Sequence, residues 1–175
     1  MNIEEYQALQ PNIAKDGITF LTPNTHCAWR VETLETKEPD TMAWLRSMKA
    51  GEILFDVGSN MGQYALIAAA RGVFVHAFEP ESQNFALLCR NIAINNFGNN
   101  ITPWPLALMD EPSIDIFHSQ MMSAGGSCNA YGEAVNFHLQ PKQYQFKQGC
   151  MAYTMDDFAD KYNFPTHIKL DVDGF

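Results

Sequence analysis

Two short apolar runs set the pattern of this chain. Ile53-Leu54-Phe55 leads into Asp56-Val57-Gly58, and Val73-Phe74-Val75-His76-Ala77-Phe78 leads into Glu79-Pro80. Runs of this length, apolar on both faces and closed by turn residues, predict strands buried within a parallel sheet. Between them, Gln63 to Arg71 is apolar nearly all round and is followed by Gly72, the pattern of a buried helix ended by a glycine. After Pro80, a longer helix is predicted, in which Phe85, Leu88, Cys89 and Ile92 form one core-facing stripe at i, i+3, i+4 and i+7. Asn95 to Asn100 is the loop that follows it. Strand, helix, strand, helix implies an α/β fold.

The flanking segments carry weaker patterns. Residues 1–16 read as a short helix and connector. Gly17 to Leu21 and Ala28 to Leu34 read as two strands of a hairpin around Thr22-Pro23-Asn24-Thr25. A helix should start at Glu38-Pro39-Asp40-Thr41, capped by Asp40 or Thr41, bury Met42, Leu45 and Met48, and stop at Ala50-Gly51. Downstream, Ile101 to Leu106 is the expected third core strand. Its Pro103 and Pro105 cannot donate to a ladder, so it belongs at a sheet edge. Ser113 to His118 and Ala134 to Leu139 alternate polar and apolar residues, as half-exposed strands do. The small residues Ser123 to Cys128 between them suit a flexible turn or a wall of a substrate pocket. Gly149 to Tyr153 is a further strand, Thr154 caps a short helix ending at Tyr162, and Thr166 to Phe175 is the fourth core strand. The expected organisation is one compact domain: a hairpin and covering helix over residues 1–50, on a core of residues 51–175.

Composition narrows the class. With 175 residues, 46% of them hydrophobic, the chain can build one sizeable core, and nine Met and twelve Phe make that core adaptable. A net charge of −9 disfavours nucleic acid and anionic membrane surfaces as partners. Cys27, Cys89, Cys128 and Cys150 form no Cys-x-x-Cys pair, so free thiols are expected rather than a zinc site. The start lacks a basic region followed by an apolar stretch, and the longest apolar run, Ala65 to Ala70, is too short to span a bilayer. A soluble, cytoplasmic protein is the expectation.

The candidate chemistry lies in Asp56-Val57-Gly58-Ser59-Asn60-Met61-Gly62-Gln63-Tyr64. Gly58 and Gly62 allow a sharp turn and a close approach of backbone to ligand before a helix begins. A dinucleotide fold would carry Gly-x-Gly-x-x-Gly and a pyrophosphate here, whereas Asp56 repels phosphate and attracts a cation. S-adenosylmethionine has no phosphate and carries an ammonium and a sulfonium. Glu79, twenty-one residues after Gly58, stands where an acid suits the two hydroxyls of a ribose. Asp171 ends the fourth strand, which in the sheet order such folds adopt should face the same crevice as Asp56. It is the candidate base or acceptor anchor, with Lys169 and Asp173 as orienting groups. Asp171 and Asp173 could instead hold a divalent cation beside the acceptor, or merely cap the strand end. His118 and His138 could each act as base or metal ligand, or be plain exposed histidines.

Asp56 to Gly62, Phe78-Glu79-Pro80, Ala107-Leu108 and Ile168-Lys169-Leu170-Asp171-Val172-Asp173-Gly174 together resemble the FkbM family of class I S-adenosylmethionine-dependent methyltransferases. The resemblance runs from about Gly17 to the end. It implies a Rossmann-like three-layer sandwich with strand order 3-2-1-4-5-7-6, which also puts the proline-containing strand 3 at an edge. It further implies a donor site built from Asp56, Gly58, Ser59, Asn60, Gly62, Tyr64, Glu79 and Pro80. Ala107 and Leu108 would lie beside adenine, and Glu38, on the helix before the first motif, would reach the methionine end. Asp173 departs from the family, which has Glu there, and the shorter side chain bears on any role that needs reach. Strands 5 to 7 are missing, so a truncated product is expected, with Ile168, Leu170 and Val172 on an open edge where a second copy could pair as a homodimer. The implied activity is O-methylation of a hydroxyl on a sugar or other small metabolite. A binding module that has lost turnover is the alternative, and a nicotinamide dehydrogenase is a third reading that Asp56 opposes.

Overall fold

The first described elements shift the expected hairpin towards the N-terminus. In the computed structural model, which describes residues 11–172, Asn12–Lys15 (β1) pairs antiparallel with Ile18–Leu21 (β2) around Asp16-Gly17, both at positive φ. Asp173 and most of the expected N-terminal helix lie outside the described residues. The segment expected as the second hairpin strand is helical, Thr25–Glu32 (α1). Asn24 accepts the Cys27 N–H at 2.8 Å as the cap, and Cys27, Val31 and Leu34 are buried at helical spacing. A local cap and a tertiary stripe thus override the expected hairpin strand. Leu34–Lys37 (α2) and Pro39–Ser47 (α3) follow, and Met42, Leu45 and Met48 are buried as expected. The expected caps Asp40 and Thr41 sit inside the helix. Its N-cap is Glu38, because Pro39 has the fixed φ of a first helical residue.

Next come Ile53–Val57 (β3), Gln63–Ala69 (α4), Phe74–Phe78 (β4), Ser82–Ile94 (α5) and Ile101–Trp104 (β5). The remaining elements are Ala107–Leu108 (β6), Ser113–Ser119 (β7), Ala130–Tyr131 (β8), Phe146–Tyr153 (β9), Met155–Tyr162 (α6) and His167–Leu170 (β10). The main sheet is parallel in the order β10-β3-β4-β5, so the proline-bearing β5 does lie at an edge. Side chains alternate between its faces. Leu54, Val75 and Ala77 join a core with α4, α5 and the N-terminal elements, while Phe55, Val57 and Phe78 meet Phe158 and Ala159 of α6. The result is an α/β sandwich of three layers. Trp104 Nε1–H donates to His76 Nδ1 at 3.1 Å within the second core, where burial holds the imidazole below its usual pKa.

A second sheet, in the order β6-β9-β7-β8, stands beside the first. The expected strands β7 and β9 pair antiparallel within it. The expected strand Ala134 to Leu139 does not form; only Val135 makes an isolated bridge, to Pro141. Asn136 Oδ1 instead accepts the N–H groups of His138 and Gln140, a side-chain turn that competes with a ladder. Thr154 caps α6 by accepting the Asp157 N–H, as expected. Among the described residues nothing pairs with the outer edge of β10, where Ile168, Leu170 and Val172 are exposed. No helix among the described residues is long and apolar enough to cross a membrane.

Candidate functional site

The chain leaves β3 to one side for β4 and later returns on the other side as β10, so a crevice opens above the carboxyl ends of these strands. A cavity of about 670 Å³ occupies it. Its lining includes Gly58, Asn60, Glu79, Pro80, Ala107, Leu108 and Asp171, which are seven of the residues expected to form the site.

Glu79 is built in from several directions. Its Oε2 accepts the Asn60 N–H at 2.7 Å and its Oε1 the Glu81 N–H at 2.9 Å. Burial raises its pKa to about 7, against the lowering effect of these two bonds. Asn60, at φ +52, accepts the Met61 N–H on its Oδ1 and donates its Nδ2–H to the Gly126 carbonyl at 2.8 Å. Asn84 on α5 also donates to Gly126 and accepts the Gly125 N–H at 2.7 Å. From α1, Arg30 Nε–H donates to the Gly125 carbonyl at 2.8 Å, and the Asn24 cap reaches Ser123 and Ala124. The small-residue loop is therefore fastened as a wall of the cavity, not left as a loose turn. Gly126, Ser127 and Asn129 line it.

Asp56 departs from its expected place. It is fully buried and absent from the cavity lining, and Lys169 Nζ lies 3.1 Å from its Oδ1. The same ammonium lies 3.7 Å from Asp171 Oδ2 and 5.0 Å from the centre of the Tyr64 ring. Tyr64 is buried against this cluster, and burial, followed by its hydrogen-bonded neighbour Glu38, raises its pKa strongly. Asp56, Tyr64, Lys169 and Glu38 thus form a charge cluster beneath the loop, outside the cavity lining. The strand-end carboxylate is neutralised from within the sheet, because β10 puts Lys169 opposite Asp56 in register. Ser59 is also turned inward, its hydroxyl donating to the Asp56 carbonyl at 2.7 Å.

The two glycines serve packing as well as turning. At Gly58, φ +76, a β-carbon would stand 2.0 Å from the Asp171 carbonyl oxygen; at Gly62, φ +88, it would stand 2.4 Å from Leu88 Cδ1. The close approach is to protein. Gly58→Ala is expected to cost about 2 kcal/mol or more, from left-handed strain plus displacement of the end of β10. Urea unfolding of the variant beside wild type measures it, and a loss below 0.5 kcal/mol would contradict this geometry.

Neither histidine candidate lines the cavity. His118 is buried with Nε2 3.0 Å from the Gly132 carbonyl, and His138 is exposed. Among the described residues no group of three or more His, Cys, Asp or Glu side chains is placed to hold a metal ion. Sequence reasoning missed Arg30, Lys37 and Asn84 in the lining. A buried-side Asn just before the apolar stripe of α5 was a signal for Asn84, whereas Arg30 carried none in a segment expected as a strand.

No protein-family model and no curated protein matches the chain. Solved structures do. An S-adenosylmethionine-dependent methyltransferase from Agrobacterium tumefaciens shares 15% identity over 55% of this chain and 32% of its own, with a TM-score of 0.46. TYW2 of Pyrococcus horikoshii, in complex with MeSAdo, shares 16% identity over 55% of this chain and 35% of its own, with a TM-score of 0.44. A methyltransferase from Thiobacillus denitrificans, in complex with S-adenosyl-L-homocysteine, shares 14% identity over 48% and 39%, with a TM-score of 0.36. The chain spans about a third of the length of these structures.

Proposed function

We propose that this chain binds S-adenosylmethionine in the cavity above β3, β4 and β10 and acts as a methyltransferase on a hydroxyl group. The observation that carries the reading is Glu79, a carboxylate buried in the cavity wall at the end of β4 and aligned by two backbone N–H groups. Such a carboxylate is suited to accept the two hydroxyls of a ribose. The cavity volume lies within the range of small-ligand sites. Pro80, Ala107 and Leu108 would flank the nucleoside, and the turn through Gly58 and Asn60 would present backbone to it. S-adenosylmethionine, when bound, supplies a methyl group on a positively charged sulfur.

Among the described residues, Asp171 is the exposed acid at the end of β10 that lines the cavity, and it is assigned to take the proton of the acceptor hydroxyl or to anchor it. Lys169 is assigned a positioning role, holding Asp56 and Asp171 from below. The acceptor class, a sugar or other small metabolite, rests on the likeness of residues 168–174 to the FkbM motif, of which Asp173 lies outside the described residues. Pairing of two copies along β10 belongs to the same proposal.

Titration calorimetry with S-adenosylhomocysteine and with NAD tests the cavity, and methyl release against a panel of hydroxylated acceptors tests the reaction. Binding of S-adenosylhomocysteine without competition from NAD is expected. NAD displacing it would overturn the assignment, and binding with no transfer to any hydroxyl would reduce the chain to a nucleoside-binding module.

A further inference from the structure

We infer that Arg30 forms an anion-recognising pole of the cavity and takes a carboxylate of the bound ligands. This rests on the proposed reading of the cavity as a nucleoside site, but its observations are separate. Arg30 lies on α1, outside all the strand-end motifs, and lines the cavity together with Lys37 of α2. Its Nε–H is committed to the Gly125 carbonyl at 2.8 Å, which fixes the plane of the guanidinium. Among the described residues its terminal amino groups make no hydrogen bond and no carboxylate comes within ion-pair distance. The chain carries 20 acidic side chains against 11 basic ones, so this is not for want of acids. Lys37, by contrast, has Glu38 at 3.5 Å.

A half-buried arginine with one donor anchored and a planar pair of donors unclaimed is arranged for a planar two-oxygen acceptor. Its field reaches beyond itself: the pKa of His26 is lowered first by burial and then by Arg30 and Lys37. The placement is also specific. Arg30 holds Gly125, the adjoining Gly126 is held by Asn60, and the Asn60 N–H binds Glu79. The cation and the ribose-binding carboxylate are thus two fixed points on one hydrogen-bonded wall.

Two ligands could supply the carboxylate: the amino-acid end of the adenosyl donor, or an acid group on the acceptor. Titrating wild type and Arg30→Gln with S-adenosylhomocysteine and with 5′-deoxy-5′-methylthioadenosine, which lacks the amino-acid end, separates them. If the donor supplies it, the variant should lose about tenfold or more in affinity for S-adenosylhomocysteine and stay within about twofold for methylthioadenosine. If the acceptor supplies it, both affinities hold, and malonate binding to the chain saturated with S-adenosylhomocysteine is lost in the variant. Equal weakening of both nucleosides would mean that Arg30 merely braces Gly125, and unchanged binding of all three probes would mean that it binds nothing; either overturns the inference. Failure of wild type to bind either nucleoside sinks the nucleoside reading instead. Malonate titrated into unliganded wild type and Arg30→Gln then decides Arg30 alone: loss of binding in the variant upholds the anion site, and equal or absent binding rejects it.

Discussion

Lys169→Met is expected to cost about 3–5 kcal/mol of folding stability, because it strips the charge partner from a fully buried carboxylate. Asp56 has no other cation beside it among the described residues, and neither of its oxygens has a hydrogen-bond donor in line. The alkyl stem of Met fills the same channel beside Tyr64, so the loss is electrostatic and not a cavity. The double variant Asp56→Asn, Lys169→Met removes the stranded charge as well and is expected to recover at least half of the loss, giving a coupling energy of about 2 kcal/mol in a double-mutant cycle. Urea unfolding of the four proteins measures this. A single variant within 1 kcal/mol of wild type would show that the pair does not hold β10 to β3.

Glu79→Gln is expected to weaken S-adenosylhomocysteine binding by about thirtyfold at pH 8, the effect of losing charge on an acceptor of two hydroxyls. The pH dependence is the sharper test. With a folded pKa of about 7, only about a tenth of Glu79 is charged at pH 6, so wild-type affinity should rise about tenfold between pH 6 and pH 8. The variant should be flat. Stability runs the opposite way. The folded pKa lies above the unfolded value of 4.5, so the native state binds the extra proton, and stability present below pH 4.5 is lost as pH rises through 7. Wild type should therefore lose stability relative to the variant over that window by up to about 3 kcal/mol, read from urea unfolding. A flat wild-type binding profile would remove Glu79 from the nucleoside site.

Much of this follows from Ile53 to Gly98 read as a string. Two buried runs, each closed by an acid, with apolar helices after them, dictate a parallel α/β unit, because strands covered on both faces admit few other arrangements. Pro103 puts β5 at the edge, since a residue without an N–H cannot serve a second neighbour. The elements that differ from expectation lie where local pattern was ambiguous. Ala28 to Leu34 follows a turn-rich stretch like the second strand of a hairpin, yet its helical stripe finds the core of α3 and α4. Asn136 looked like part of a strand until its side chain took the backbone donors.

What the sequence alone determined is the unit of strand, acid, glycine turn and helix, and the presence of an acid at the end of β4. Those depend on neighbours along the chain. Only the tertiary structure decided which acids face the cavity: pairing of β10 beside β3 sets Lys169 against Asp56 and seals it, and α1 brings Arg30 to the cavity instead. Charge balance and burial are set between segments a hundred residues apart, and no local pattern encodes them.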